Sequence, residues 1–359
     1  MSNITVTSFG SLPDGRNVQL YTLTNRNGTA LSVCTYGGHV QSLKKKDKQG
    51  NLVDIVLGYE DAAAYVQDTK FIGALIGRCG NRIAGGKLRI HDREYRLECN
   101  DGRNHLHGGT WTGFHKKLWQ AEETAEGLKL TYTSPDGEGN YPGTLQAAVW
   151  YDLSEDDAFS IRYEAVADAD TICNLTNHTY FNLNGYDSGN VLQQRIQLFA
   201  DAFTESDEES LPNGNILDVA GTPMDLRTLQ PIGEHIDDDY RQLQQAGGYD
   251  HNWIVRKDEA KAVVSHGMTL YPMAYAVGNL TGITLQAYTT QPGVQFYSGN
   301  HLDGKKKGKG DTVFSKRTGF CLEAQYYPNA LANPNFPQPI LKKGDVWKAE
   351  TIYKLGTED

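Results

Sequence analysis

The sequence predicts an all-β protein of antiparallel strands, stacked as a sandwich or a barrel-like structure, with few short helices. Three observations support this class. Short runs alternate between apolar and polar residues, which is the pattern of half-buried strands. Turn-forming clusters separate these runs, and glycine is abundant at 38 residues. Long amphipathic segments with helical spacing are missing from the chain.

The strand pattern is clearest in the middle of the chain. Residues 128–132 alternate, and the turn sequence Ser-Pro-Asp-Gly follows at 134–137. Residues 145–151 and 159–165 then alternate in the same way. We therefore expect half-buried strands in these segments, separated by turns.

The segments with helical character are short. Residues 61–67 and 237–245 each have the composition of a brief helix. No change in composition marks a linker, and no internal repeat is visible. Because all-β folds often run long as single units, we expect one domain over residues 1–359.

Composition and charge exclude several classes of protein. The formal net charge of −10 disfavours a nucleic-acid partner, and no apolar run approaches the roughly 20 residues of a membrane-spanning helix. The five cysteines form no C-x-x-C pair, and the N-terminus has neither a basic nor an apolar signal region. We therefore expect a reduced, cytoplasmic protein.

Cofactor signatures are also missing. The chain has no Gly-rich dinucleotide fingerprint, Walker loop, H-E-x-x-H or G-x-S-x-G motif. His105 and His107 are two residues apart, a spacing that a metal can use on one face of a strand. The ten histidines nevertheless show no clear zinc spacing, and we predict neither a cofactor nor a metal.

Four short stretches place ionisable side chains among glycine or aromatic residues. They are GRCGNRIA with Asn81 and Arg82, NHLHGG with His107, NHTYFNL with His178, and GFCLEAQ with Glu323. GYDHN adds Asp250 beside aromatic residues. Each stretch also has a structural interpretation: an exposed arginine in a turn, a core histidine, or an exposed glutamate on a strand.

A histidine can donate or accept a proton at neutral pH, so the stretch around His178 is of special interest. Asn177 and Asn182 can orient its imidazole, and Tyr180 and Phe181 can form a pocket wall. Aromatic rings combined with Asn, Asp, Glu, His and Arg are the composition of a sugar pocket. Sugar hydroxyls need both donors and acceptors, and the C–H face of a pyranose stacks on aromatic rings.

Six stretches together resemble the galactose mutarotase, or aldose 1-epimerase, family. Between residues 73 and 330 they follow the family's order: GALIGRCGNRIAGG, NHLHGG, LTNHTYFNLNG, GYDHNW, TTQPGVQFYSGN and GFCLEAQYYPNA. The resemblance implies a large antiparallel β-sandwich of the supersandwich type with a cleft on one face. It also implies cofactor-independent interconversion of the α and β anomers of free aldohexoses, with galactose and glucose as the expected substrates.

The resemblance also implies residue roles. Glu323 is the expected base on the C1 hydroxyl, and His178 is the expected acid on the ring oxygen. The expected sugar contacts are Asn81, Arg82, His107, Asp250 and Gln295. Asn329 departs from the family, where aspartate is commoner, and is expected to lie outside the proton-transfer pair.

Two alternative functions stay open. A hexose-6-phosphate 1-epimerase needs basic residues for the phosphate, and the lysines of residues 305–309 are the obvious candidates. We otherwise interpret this run as a solvated loop. A non-catalytic sugar-binding module has no need of the acid–base pair. For all three functions the expected partner is a small-molecule sugar, bound by a monomer or a homodimer.

Overall fold

The computed structural model describes residues 2–358. Most of the regular structure is β-strand. In chain order the strands are β1 (Asn3–Ser11), β2 (Asn17–Thr24), β3 (Ala30–Cys34), β4 (Val40–Lys46), β5 (Leu52–Asp54), β6 (Ala74–Ile76), β7 (Arg82–Ile83), β8 (Lys87–Ile90), β9 (Arg93–Arg96), β10 (His105–Leu106), β11 (Gln120–Thr124), β12 (Gly127–Ser134), β13 (Leu145–Leu153), β14 (Ala158–Ala167), β15 (Thr171–Ile172), β16 (Thr176–His178), β17 (Tyr180–Phe181), β18 (Arg195–Leu198), β19 (Ala202–Ser206), β20 (Pro212–Asp218), β21 (Gln230–Pro231), β22 (Asp250–Ile254), β23 (Val263–Ser265), β24 (Met268–Val277), β25 (Ile283–Thr289), β26 (Gly293–Tyr297), β27 (Phe320–Gln325), β28 (Ile340–Leu341) and β29 (Val346–Thr357).

The helices are few and short, as predicted. Within residues 2–358 the α-helices are α1 (Ala62–Val66) and α2 (Arg241–Ala246). Single 3-10 turns occupy Ala84–Gly86, Phe114–Lys116, Glu138–Asn140, Glu259–Lys261, Lys309–Asp311 and Ala330–Ala332. Among the described residues no helix combines the length and the apolar character of a membrane span.

Three sheets build most of the fold. The five-stranded sheet has the order β1-β2-β3-β4-β5, and the six-stranded sheet has the order β17-β27-β26-β22-β19-β20. The ten-stranded sheet has the order β11-β12-β13-β14-β29-β25-β24-β18-β21, with β23 paired to β24. Their strands pair antiparallel. The predicted alternating segments are the consecutive neighbours β12, β13 and β14, with buried residues at every second position along β13 and β14.

The largest core cluster lies between these sheets. It contains Leu31 of the five-stranded sheet, Val149 and Ile161 of the ten-stranded sheet, and Trp253 and Phe296 of the six-stranded sheet. Each such side chain contributes about 1.5–3 kcal/mol when it is fully buried. Sheets that pack face to face over one apolar layer form a β-sandwich, so the predicted fold class is confirmed.

The basic run at 305–309 differs from its prediction at one position. Lys309 is 5% exposed and buried rather than solvated. Its ammonium group donates to Asp54 Oδ2 at 2.6 Å and to the Gln41 carbonyl at 2.8 Å. Lys305 and Lys307 are exposed, in agreement with a loop. A buried ammonium requires such partners, and spacing along the sequence did not reveal them.

The six-stranded sheet positions the polar residues of the recognised stretches. Its strands β22, β26 and β27 are direct neighbours and carry Asp250, Gln295 and Glu323. Strand β16 carries His178 and pairs with β6, immediately before the loop that leads to Arg82. Stretches that are far apart in sequence therefore meet at one side of this sheet.

Candidate active site

A cavity of about 330 Å³ opens where these stretches meet. Six of the seven predicted site residues line it: Asn81, Arg82, His107, His178, Asp250 and Glu323. The seventh, Gln295, does not line the cavity. The volume lies in the range of small-molecule sites. The interpretation of Glu323 as an exposed strand residue is therefore wrong, because Glu323 is buried. His178 is buried, as a core histidine is, but it also lines the cavity.

Glu323 lies on β27 and is 2% exposed. Its Oε2 atom has no hydrogen-bond partner among the described residues. Burial raises the pKa of Glu323 well above 4.5, the negative charge of Asp250 raises it further, and the positive charge of Arg82 opposes the shift. Glu323 lines the cavity, and a cavity-lining carboxyl group with a raised pKa and an unpaired oxygen is suited to proton transfer.

His178 lies beside Glu323, at the end of β16 where that strand pairs with Ala74. Its Nε2 atom is 3.7 Å from Glu323 Oε1, and its Nδ1 atom is 3.4 Å from the sulfur of Cys321. Burial lowers the pKa of His178 to about 4, while the charges of Asp250 and Asp68 oppose the shift. The imidazole of His178 and the carboxyl group of Glu323 thus lie side by side, and both are buried.

The predicted orienting role of Asn177 and Asn182 is wrong. Asn177 Nδ2 donates to the Gly73 carbonyl at 3.1 Å, and Asn182 Nδ2 donates to the Thr318 carbonyl at 3.0 Å. Both amides therefore bond to backbone carbonyls, and the imidazole of His178 contacts the sulfur of Cys321 instead. Only the pairing of β17 with β27 brings that cysteine to the histidine, at Tyr180 and Cys321.

Asn81 and His107 form a second polar wall. Both have left-handed backbone conformations, with φ of 59° and 51°, which Asn and His tolerate better than most residues. The backbone N–H of Asn81 donates to Nδ1 of His107 at 3.1 Å, and the His107 N–H donates to the Asn81 carbonyl at 3.1 Å. Because a backbone N–H can only donate, neutral His107 carries its proton on Nε2.

The glycine after His107 is needed for this turn. Gly108 has φ of 86°, and a Cβ atom there would lie 1.9 Å from the Gly77 carbonyl oxygen. No side chain fits at that distance, so the LHGG sequence lets the loop pass close to the strand that leads to Arg82. Burial lowers the pKa of His107 well below 6.5, aided by the nearby charges of His178 and Arg82. His107 is therefore a neutral hydrogen-bond donor at neutral pH.

Arg82 and Lys70 are the arginine and lysine residues that line the cavity, and Arg82 is the more firmly held of the two. Its Nε atom donates to Asp101 Oδ2 at 2.7 Å, and its side chain is 12% exposed. Asn329 supports the same segment, because its N–H donates to the Arg82 carbonyl at 3.0 Å and its Oδ1 accepts from the Ala84 N–H at 3.1 Å. Asn329 lies outside the cavity lining, but it helps to hold Arg82 in place.

Gln295 contacts the cavity only through another residue. Its Nε2 atom donates to Asp250 Oδ1 at 2.7 Å, and its Oε1 atom accepts from Gln325 Nε2 at 3.1 Å. Asp250 lies directly on the cavity. The structure therefore places Gln295 behind Asp250, where the resemblance had implied a direct contact with the sugar.

Aromatic rings complete the lining. Tyr180 and Tyr297 line the cavity, whereas Phe181 is part of the core, so the predicted pocket wall is only half right. Phe71 was not predicted. Its ring lies 4.7 Å from that of His107 and 5.8 Å from that of His178. Its backbone φ of 58° is unusual for a bulky residue, and no recognised pattern in the sequence marks it.

The donor atoms of His107, His178 and Glu323 all lie within 4.8 Å of one another. Proximity alone resembles a metal site, but the hydrogen bonds do not fit one. His107 Nδ1 is occupied by the Asn81 N–H, so Nε2 carries the proton and has no lone pair to offer. The ring of His105, whose spacing from His107 a metal could use, instead bonds to the Glu98 carbonyl and to the Tyr141 hydroxyl.

A family model described as aldose 1-epimerase matches residues 19–354. The chain belongs to the aldose 1-epimerase family. It is thus an isomerase of carbohydrate metabolism, and the predicted family and enzyme class are confirmed.

Similar proteins support this assignment over nearly the full length. The chain is 38% identical to the galactose mutarotase of Sus scrofa over 353 residues, covering 98% of each chain. It is 33% identical to the aldose 1-epimerase of Escherichia coli K12, covering 96% of this chain and 97% of that protein. The crystal structure of a galactose 1-epimerase from Lactobacillus acidophilus superposes with a TM-score of 0.85 at 26% identity, covering 100% of both chains.

Proposed function

We propose that this aldose 1-epimerase interconverts the α and β anomers of free galactose and glucose by general acid–base catalysis without a cofactor. The observation that carries the proposal is the distance of 3.7 Å between His178 Nε2 and Glu323 Oε1 at the wall of a sugar-sized cavity. Opening a sugar ring requires one proton to leave the C1 hydroxyl and one to reach the ring oxygen. Two adjacent groups, one able to accept a proton and the other able to donate one, meet this requirement.

The proposed reaction has two symmetrical halves. Glu323 takes the proton of the C1 hydroxyl while His178 Nε2–H protonates the ring oxygen, and the bond between C1 and the ring oxygen breaks. The aldehyde then rotates about the C1–C2 bond and presents its other face. The same groups return the protons in reverse as the ring closes, so no proton is consumed.

The protonation state of the free pair fits this cycle. Burial favours the neutral forms of both groups, with the shared proton on Glu323. The reactive form, with a charged His178 and a charged Glu323, contains the same number of protons. A sugar hydroxyl that donates to Glu323 stabilises the carboxylate, since hydrogen bonds to a charged form favour that form.

The remaining polar residues hold the sugar. Asp250 accepts hydrogen bonds from sugar hydroxyls, whereas Arg82 and the Nε2–H of His107 donate to sugar oxygens. Asn81 supplies an amide beside them, and Gln295 acts through Asp250. Such positioning supplies several kcal/mol of a barrier, and acid–base groups typically supply a further 10²–10⁴-fold in rate.

The test is polarimetry of freshly dissolved α-galactose and α-glucose, corrected for the spontaneous rate. We expect the protein to speed the approach to the equilibrium rotation for both sugars, with saturation as sugar concentration rises. An unchanged rate for every hexose in a panel contradicts the proposal and favours the non-catalytic sugar-binding module. The presence of both His178 and Glu323, 3.7 Å apart, argues against a non-catalytic module, which has no need of an acid–base pair.

A hexose 6-phosphate is a second candidate substrate. A smaller cavity of about 190 Å³ shares Thr69 and Lys70 with the sugar cavity, and Lys305 and Lys306 line its other side. Asp303 lies 3.5 Å from the ammonium groups of both Lys70 and Lys305, which offsets part of their positive charge. Comparing kcat/KM for glucose and glucose 6-phosphate separates the two substrates. A preference for the phosphate supports the second candidate.

The setting of the enzyme follows from the same observations. We infer that residues 1–359 act as one domain and that the protein works in the cytoplasm as a monomer or a homodimer. All five cysteines are free, which suits a reducing compartment. Light scattering after size-exclusion chromatography tests the oligomeric state.

A further inference from the structure

One face of the six-stranded sheet carries a continuous layer of polar side chains beneath the cavity. Residues two apart on a strand share a face, and Gln295 is opposite both Asn252 and Glu323 in register. The layer consists of Asp250 and Asn252 on β22, Gln295 on β26, and Glu323 and Gln325 on β27. Asp250 and Glu323 line the cavity, and the three amides lie behind them.

The amides of this layer have a fixed direction. An ionised carboxylate can only accept hydrogen bonds, so Gln295 must turn its NH₂ group toward Asp250, where the distance is 2.7 Å. Its carbonyl oxygen then faces the other way and accepts from Gln325 Nε2 at 3.1 Å. The orientation of Gln295 is therefore held from both ends, by a carboxylate and by a donor.

Stability alone does not explain an amide at position 325. Gln325 is 0% exposed, and its Oε1 atom has no hydrogen-bond partner among residues 2–358. Asn252 Nδ2, in the same layer, also lacks a partner there. Unpaired buried polar atoms destabilise the folded state, and an apolar side chain of similar size avoids that cost. Two bonds distinguish glutamine from such a side chain: Nε2 donates to Gln295 Oε1 at 3.1 Å and, at the longer distance of 3.5 Å, to Asn252 Oδ1. The shorter bond is the one to Gln295.

We propose that Gln325 is a positioning residue, which orients Gln295 so that Asp250 keeps one oxygen fixed and presents the other to a sugar hydroxyl. The inference rests on the proposed function, because it assumes that Asp250 binds the sugar. According to this inference, Gln325 affects the affinity for the sugar although it does not contact the sugar. Gln325 does not line the cavity, so any effect on affinity must pass through its neighbours.

The variant Gln325→Glu tests whether the donor at position 325 sets the direction of the hydrogen bonds from Gln325 to Gln295 and from Gln295 to Asp250. A charged glutamate accepts only, so Gln295 turns its NH₂ group toward Glu at position 325 and its carbonyl toward Asp250, where the two oxygens repel. We expect KM for galactose to rise by roughly tenfold or more, the factor for losing a hydrogen bond to a charged group, with a smaller change in kcat. Gln325→Met removes the donor without reversing Gln295 and should raise KM less.

The pH dependence of KM distinguishes a positioning role of residue 325 from a purely structural one. A protonated glutamic acid at position 325 donates its O–H to Gln295, so KM of Gln325→Glu should return toward the parent value as pH falls. Burial raises the pKa of such a group, so the return should begin above its ordinary pKa of about 4.3. Gln325→Met has no titratable group and should show no return.

The parent enzyme must be titrated in parallel. The charged and titratable groups around the layer are Arg82, His178, Asp250, His251, Tyr297, Cys321 and Glu323. Their contributions are read from the parent and from Gln325→Met, neither of which has a titratable group at position 325. A return of KM at acid pH that appears only in Gln325→Glu therefore belongs to the introduced carboxyl group. Gln242→Glu, which also buries a carboxyl group but lies outside the cavity lining, should keep the parent KM wherever circular dichroism shows it folded.

Asp250→Asn separates the possible failures. If Asp250→Asn and the parent have the same KM, the proposed role of Asp250 is wrong and the inference falls with it. If Asp250→Asn raises KM while a folded Gln325→Met retains the parent KM, only the inference is overturned. Equal rises in Gln325→Glu and Gln325→Met, without recovery at acid pH, also overturn it, because packing then accounts for both. If Gln325→Glu fails to fold, Gln325→Met decides the outcome.

Discussion

His178 Nε2 and Glu323 Oε1 lie 3.7 Å apart, with both side chains almost wholly buried. They come from strands of different sheets, β16 and β27, and share no stretch of sequence. This separation is just beyond hydrogen-bond distance, and it is short enough for the charges of the two groups to interact. Coupled groups of this kind titrate with macroscopic pKa values that belong to the pair.

The pH dependence of kcat/KM should follow from the proton count of this pair. Burial lowers the pKa of His178 to about 4 and raises that of Glu323 well above 4.5. The pair therefore holds one proton between these limits. Below the lower limit His178 gains a second proton and no base is left, and above the upper limit Glu323 loses its proton and no acid is left. We expect a bell-shaped profile with its acid limb near pH 4.

Temperature identifies the group behind each limb. Ionisation of an imidazole depends strongly on temperature, and that of a carboxyl group hardly does. The acid limb should shift on heating, as His178 requires, and the alkaline limb should stay in place. The opposite pattern contradicts the assignment, because it gives His178 the alkaline limb and Glu323 the acid limb.

Chelation should leave the enzyme active. The Asn81 N–H fixes the proton of His107 on Nε2, so the three clustered donors do not form a suitable set of metal ligands. Turnover after extensive dialysis against EDTA should match that of untreated enzyme. Loss of activity that a divalent metal restores contradicts the cofactor-independent mechanism.

Arg82→Lys should weaken sugar binding. The Nε atom of Arg82 donates to Asp101 at 2.7 Å, which leaves the other N–H groups of the guanidinium free to bind a sugar. Lysine has a single ammonium group and cannot make both contacts in the same geometry. We expect KM for galactose to rise by roughly tenfold. Asp101→Asn keeps an acceptor oxygen in place and serves as the milder control. A parent KM in Arg82→Lys argues against a role of Arg82 in the site.

Lys309→Met should lower stability without affecting the site directly. It leaves Asp54 buried without its cation, and removing one partner of a buried ion pair typically costs about 3–5 kcal/mol. Lys305→Met, at an exposed position of the same run, should change the free energy of unfolding by no more than about 0.5 kcal/mol. Urea denaturation measures both. Equal stability of the two variants contradicts the structural role of Lys309.

The sequence predicted the parts of the fold that depend on local patterns. Alternation along β13 and β14 marks every second position as buried. The brief helix predicted over residues 61–67 contains α1, whereas α2 begins four residues later than the segment predicted over 237–245. Six of the predicted residues line one cavity. They could be predicted because the stretches that contain them are recognisable together as a set. These features need no knowledge of which strands become neighbours.

The remainder depends on neighbours that the sequence does not specify. The contact of Cys321 with His178 exists only because β17 pairs with β27. Gln295 lies behind Asp250 because their side chains point from adjacent strands into one layer. Lys309 is buried because Asp54, 255 residues away in sequence, reaches its ammonium group. Such contacts are set by tertiary packing, which residue spacing does not encode.

The most direct test of the central claim is the turnover of Glu323→Gln, measured by polarimetry on freshly dissolved α-galactose and corrected for the spontaneous rate. Glutamine keeps the size of the side chain but cannot exchange a proton. We expect turnover to fall by roughly 10²–10⁴-fold, while circular dichroism and thermal stability show a folded protein. If the folded variant retains most of the parent activity, Glu323 is not the proton-transfer group and the account of the pair is wrong.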